Sequence, residues 1–196
     1  ESGIASVTFA GSYYPASERM PCYWKNDMLN ALDVGTKTRG AATAATYCNG
    51  TLWLDGYCSG ASMIPCLWQN GARIDLPFGT NNSAEVTGMA TAGTGMVVSS
   101  GHYVNSSGTY PCYWYGTDFR SFTTAKGEAV CIAVSGTNLV LGGWVMDAGT
   151  RKPCIWKNDT LQILGLSTGT SAIVQSVTIS AKGTILVAGT YTNSGY

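Results

Sequence analysis

The sequence predicts an all-β protein, a β-propeller or part of one with about four to five blades, and three observations carry that prediction. A Pro-Cys-x-Trp heptapeptide occurs four times, as PCYWKND (Pro21 to Asp27), PCLWQNG (Pro65 to Gly71), PCYWYGT (Pro111 to Thr117) and PCIWKND (Pro153 to Asp159). Its tryptophans, Trp24, Trp68, Trp114 and Trp156, stand 44, 46 and 42 residues apart. In phase with them runs an apolar segment ending in Gly and usually followed by an aromatic, present five times: VTFAGSYY, TLWLDGY, MVVSSGHY, LVLGGWV and ILVAGTY. Segments of five to eight residues between turns, with no sustained 3.6-residue periodicity, argue for strands throughout.

Each unit reads in a fixed order. First comes a strand such as AATAATYC or VTGMATA, closed by a turn containing Gly; Asn49-Gly50 is a strong two-residue hairpin signal. The Gly-marked strand follows, then a loop, the PCxW strand, a second turn (Asn70-Gly71) and a weaker apolar segment such as ARIDLPFG. Four strands in about 44 residues is one propeller blade, a four-stranded antiparallel sheet. A helical solenoid of that period would need Ala, Leu and Glu where this chain has Gly, Thr and Tyr. Residues 1–196 therefore read as a single repeat domain of four full repeats plus one surplus Gly-marked strand.

Composition agrees. Gly numbers 25 in 196 residues and Tyr 11, the mixture of tight turns and pleated strands. The formal net charge is zero and only 11% of residues are charged, so nothing electrostatic favours nucleic acid or an anionic membrane. No apolar run approaches the roughly 18 residues of a transmembrane helix. The chain opens at Glu1 without Met or a signal-like segment and reads as a mature or excised piece. Both ends offer the same Gly-marked strand, and neither supplies a fifth PCxW. The expectation is a fragment of a longer array, with strand pairing to another subunit and a four-blade closure as alternatives.

PCYWKN followed by a DLP-like segment, then IAVSG and ILVAG, resembles the propeller-like repeats of secreted and surface proteins in spirochaetes and Bacteroidetes. The resemblance covers essentially the whole chain. It implies export, to the cell surface or the medium, and implies no common activity.

In an extended strand Cys22 and Trp24 share one face, Tyr23 and Lys25 the other. Packed between blades, a small thiol beside a large indole suits a core, so Trp24, Trp68, Trp114 and Trp156 are expected as the repeating structural core. The competing reading is one aromatic shelf per blade for a sugar ring. Seven cysteines leave at least one unpaired within the chain. Cys22, Cys66, Cys112 and Cys154 occupy equivalent places in different blades, too far apart to bridge. A hairpin centred on residue 62 would set Cys58 opposite Cys66, compatible with a cross-strand disulfide; buried free thiols are the alternative.

No catalytic constellation is legible. His102 is the sole histidine and occupies a slot held elsewhere by Ser12 and Thr190, which reads as a surface substitution. Asp27, Asp118 and Asp159 sit in turns where Asp suits the geometry. No metal-ligand spacing, phosphate loop or cofactor motif occurs. The expectation is a non-enzymatic extracellular structural or assembly protein whose partners are copies of itself or other surface proteins. The alternative is a multivalent carbohydrate-binding propeller, a lectin or adhesin. Its glycan sites would use Tyr13, Tyr57, Tyr103 and Tyr191 near the strand Gly, with Asn26, Asn70 and Asn158 in the turns.

Overall fold

The computed structural model describes residues 7–93, 95–165 and 171–192, and all regular structure among them is antiparallel strand. The first sheet holds β1 (Thr8–Tyr13), β2 (Met20–Lys25) and β3 (Met28–Ala31). The second holds β4 (Arg39–Cys48), β5 (Thr51–Ser59), β6 (Met63–Gln69) and β7 (Ala72–Asp75). The third holds β8 (Ser83–Thr91), β9 (Val97–Asn105), β10 (Gly108–Tyr115) and β11 (Asp118–Ser121). The fourth holds β12 (Gly127–Ser135), β13 (Asn138–Asp147), β14 (Thr150–Lys157) and β15 (Thr160–Ile163). A final pair, β16 (Ser171–Ile179) and β17 (Ile185–Thr192), completes the order. Strands follow chain order within every sheet, and β4, β8, β12 and β16 pack against one another in succession. That is the stacking of propeller blades.

The Gly marker has a backbone cause. The first strand of each of the last four sheets carries a β-bulge, at Ala42/Ala44, Val86/Gly88, Ala129/Cys131 and Val174/Ser176. Beside each bulge the neighbouring strand's Gly approaches a carbonyl so closely that an added Cβ would collide. It would lie 2.0 Å from Ala41 O at Gly56 and 1.9 Å from Glu128 O at Gly143. Only Gly fits. The PCxW strand then pairs in one register throughout: Gly11 faces Cys22, Gly56 faces Cys66, Gly101 faces Cys112 and Gly143 faces Cys154.

The turns after the motif follow from their residues. Asn26-Asp27 and Asn158-Asp159 both take positive φ, near 50° and 65°, as a two-residue hairpin turn requires. Asn70 does the same, and its side-chain oxygen accepts the Leu52 N–H at 3.1 Å.

Between sheets the core is built around the indoles. Trp68, Trp114 and Trp156 are fully buried, whereas Trp24 in the three-stranded first sheet is only half-buried. Trp68 Nε1 donates to Asp33 O (2.8 Å) and Trp114 Nε1 to Pro77 O (2.6 Å), so each indole is latched to the loop leaving the preceding sheet. Trp156 Nε1 finds no acceptor among the described residues. A second latch uses the bulges. Thr87 Oγ1 donates to Ala129 O (2.7 Å) at the next sheet's bulge, and Thr43 Oγ1 stands in the same relation to Val86 O at 3.4 Å.

Candidate functional site

The proposed glycan residues do not form one repeated set. Tyr57 directly follows its strand Gly, while Tyr13, Tyr103 and Tyr191 stand two places after theirs. With a period of two, that offset turns Tyr57 to the opposite face. Tyr103 is buried, bonds Ser121 Oγ at 3.0 Å and stacks on Tyr110 at 5.5 Å, so it belongs to the core. Tyr13 is half-buried and Tyr191 is exposed on the final strand. Asn70 and Asn158 spend their side-chain oxygens on the Leu52 and Leu139 amides, and Asn26 donates its backbone N–H to Val7 O.

The hairpin register differs from the expected one and with it the cysteine geometry. Three residues, Gly60 to Ser62, connect β5 to β6, and pairing runs on to Ser59–Met63. The hairpin is thus centred on residue 61, Cys58 faces Ile64, and Cys66 faces Gly56. Cys58 and Cys66 are diagonal neighbours on one face, and both are free thiols here, not a disulfide. Contact with Cys58, together with burial, pushes the Cys66 thiol up. The Arg73–Asp75 ion pair (2.6 Å) lies beside them and holds the Asp75 carboxyl down. Burial alone raises Cys22, Cys112 and Cys154. Six of the seven cysteines are buried, and Cys131 is partly so. They are packing groups.

What the structure does bring together is a row of residues that directly follow a strand Gly, Tyr57, His102 and Trp144, each beside a charged side chain. In the second sheet Tyr57 receives a hydrogen bond from Arg19 Nη1 (3.1 Å), and Arg19 also reaches Ser12 (2.9 Å). In the third, His102 pairs with Glu85, Nε2 to Oε2 4.0 Å. In the fourth, Trp144 Nε1 donates to Glu128 Oε2 (3.1 Å), with the Arg151 guanidinium 4.3 Å above the indole. These pairs follow one another across the sheets. Burial raises the Glu85 carboxyl, His102 counters that, and Glu128 and Arg19 act on it from either side. A chain with few charges gathers several of them along this row.

His102 is therefore not a surface substitution: its side chain is only 14% exposed. At the start of the row, Arg19, Arg39, Tyr57, Ser59 and Met63 line a cleft of about 310 Å³. Guanidinium donors and a phenol ring beside an open cleft can hold a hydroxylated or anionic group. No cluster of His, Cys, Asp or Glu among the described residues suits a metal ion.

Asp55 is a further residue that sequence reasoning missed. It is fully buried between the second and third sheets, with Thr43 Oγ1 donating to Oδ1 at 2.8 Å. The Ser99 hydroxyl lies beside this carboxyl, but neither it nor Oδ2 makes a well-formed hydrogen bond. Burial pushes the carboxyl up to about 7, with Thr43, Ser99 and the Ala44 backbone offsetting part of that. The available signal was an Asp inside LWLDGY, where the parallel strands carry Ser, Gly or Ala.

Among solved structures the chain is similar to the crystal structure of TolB from Acinetobacter baumannii. The TM-score is 0.61 at 13% identity, over 96% of this chain and 48% of that one. The chain thus spans about half the length of that protein. A fucose lectin from Kordia zhangzhouensis, solved in complex with methyl-fucoside, aligns with a TM-score of 0.49 at 8% identity. That alignment covers 62% of this chain and 96% of the lectin. No family model and no curated protein matches the sequence. The likeness to TolB is one of fold, and the fold is a β-propeller.

Proposed function

We propose that this chain is a non-enzymatic, extracellular assembly module whose work is protein–protein contact at the cell surface, including contact with copies of itself. One observation carries this: among the described residues β1 and β17 are the outermost strands of their sheets, and both expose apolar side chains. Phe9 is 62% exposed and Leu186 56%. Neither strand contains Lys or Pro, which guard natural edges against association. Extended edges of this kind accept partner strands. The expected result is dimers or larger assemblies in light scattering of the purified chain. A stable monomer whose Ile185 to Ala188 amides exchange freely would overturn the reading.

The cleft at Arg19, Arg39 and Tyr57 favours a second reading, a carbohydrate site in one blade, since a sugar ring stacks on phenol and guanidinium groups bond its hydroxyls. A glycan array checks it. Binding should be lost in Tyr57→Ala; a flat array leaves the assembly reading alone.

A further inference from the structure

The cleft between the first and second sheets differs in charge from its counterparts further along the row. In the third sheet the residue after the strand Gly, His102, faces Glu85 across the strand pair, and in the fourth Trp144 faces Glu128. Each ring meets a carboxylate there, at 4.0 Å and 3.1 Å. In the second sheet Tyr57 faces Ala41, whose methyl group brings no charge. Arg19 turns instead to two neutral oxygens, the Tyr57 phenol (3.1 Å) and Ser12 Oγ (2.9 Å).

The rest of the lining points the same way. Arg19 and Arg39 are exposed, and neither forms an ion pair among the described residues. Glu85 feels the Arg19 charge, but no Asp or Glu among the described residues lines the cleft. The Tyr57 oxygen accepts an Arg19 N–H, so the phenol proton is free to donate elsewhere. The Ser59 hydroxyl makes no hydrogen bond among the described residues. Backbone acceptors at the site are engaged: Arg19 O takes the Gly40 N–H (2.8 Å) and Ser59 O that of Thr38 (3.3 Å). Two guanidinium groups and two hydroxyls thus offer donors to a space of about 310 Å³. A planar guanidinium fork matches a carboxylate through paired hydrogen bonds.

This combination occurs once along the stack. The places of Arg19 and Arg39 hold Met63 and Ser83 at the next junction, then Thr109 and Lys126, then Arg151 and Ser171. Arg151 is stacked on Trp144 in its own sheet.

We infer that this cleft binds an acidic sugar, a hexuronic acid, one per chain, with Arg19 and Arg39 holding its carboxylate. The inference rests on the carbohydrate reading above and names the class of sugar. The Tyr57 and Ser59 hydroxyls bond the ring oxygens, and the phenol ring with Met63 provides an apolar wall for the ring face. The volume lies at the low end for ligand pockets and suits a single ring. A peptide carboxyl terminus fits less well, because such ends are captured by free backbone amides and the Gly40 amide is engaged.

Calorimetric titration of the purified chain tests it, with methyl glucuronide, methyl galacturonide, methyl glucoside, methyl galactoside and glucose 6-phosphate as probes. One uronide should bind at one site per chain, at least about tenfold tighter than its uncharged counterpart, the difference a charge-assisted contact makes. Its affinity should fall as salt is raised, and that of the neutral glycoside should hold. Arg19→Gln and Arg39→Gln should each weaken the uronide by about tenfold or more and cost the neutral glycoside less. Both arginines are exposed, and unchanged circular dichroism should show the variants folded. Equal binding of uronide and neutral glycoside, or uronide binding indifferent to both arginines, would overturn the inference while the carbohydrate reading stands. Tighter binding of glucose 6-phosphate than of either uronide would do the same. Binding of none of these sugars, together with a flat glycan array, would overturn both.

Discussion

Replacing Asp55 with Asn should make the protein more stable, and by an amount that depends on pH. The folded carboxyl holds its proton to about pH 7, whereas an ordinary Asp loses it near 3.8, because burial penalises the anion. Between those values unfolding releases a proton, so stability falls as pH rises, and the loss is complete above about 7. A shift of roughly three pH units at about 1.4 kcal/mol each makes the cost on the order of 4 kcal/mol. That is a large share of the roughly 5–15 kcal/mol available to an ordinary domain. Asn keeps an oxygen for Thr43 Oγ1 and offers its N–H₂ to the adjacent Ser99 hydroxyl. Denaturant unfolding of both proteins at pH 4, 5, 6, 7 and 8 is the assay. The Asn variant's advantage should be smallest at pH 4, grow by about 1.4 kcal/mol per pH unit to 7, and then level off. Parallel stability curves for the two proteins across this range would refute the reasoning.

Trp68→Ala should cost about 3–5 kcal/mol in urea unfolding, the usual range for a buried aromatic, whereas Trp24→Ala, half-buried, should cost clearly less. Gly56→Ala should prevent accumulation of folded protein, read by circular dichroism, because its Cβ would meet Ala41 O at 2.0 Å. Asn70→Ala should lose about 1 kcal/mol through the strained turn and the abandoned Leu52 amide, measured by thermal unfolding. The buried thiols should resist alkylation in the native protein and react only on unfolding, a result mass spectrometry reads directly.

The blade length, strand order and PCxW strands were legible because each depends on local chemistry: Asn-Gly turns, period-two strands and a motif repeated at fixed spacing. The bulges were not, since a bulge is a relation between two strands and no single residue announces it. Thr43 and Thr87 look like ordinary strand threonines until cross-strand pairing shows them as the extra residues. The β5–β6 register was misjudged for a related reason. The loop there contains no turn signal as strong as Asn49-Gly50, and moving its centre by one residue changes which side chains face each other. The tyrosines near the strand Gly were grouped by proximity, although one residue of offset sends Tyr57 and Tyr103 to opposite faces. The row from Arg19 to Trp144 was illegible because its members are far apart in sequence and only blade stacking aligns them.

The threonine latches at the bulges have a mechanical consequence. Thr87 ties the third sheet to the fourth through a 2.7 Å hydroxyl bond to the next sheet's backbone, whereas Thr43, whose proton goes to Asp55, only approaches the third sheet's backbone at 3.4 Å. The equivalent bulge residue in the fourth sheet is Val130, which has no hydroxyl to give. The fifth sheet therefore has no hydroxyl tie to the fourth at that point and is held there by apolar contact. Pulled from its two ends, the molecule should yield in steps, one sheet at a time, with the hydroxyl-tied third and fourth sheets among the last to part.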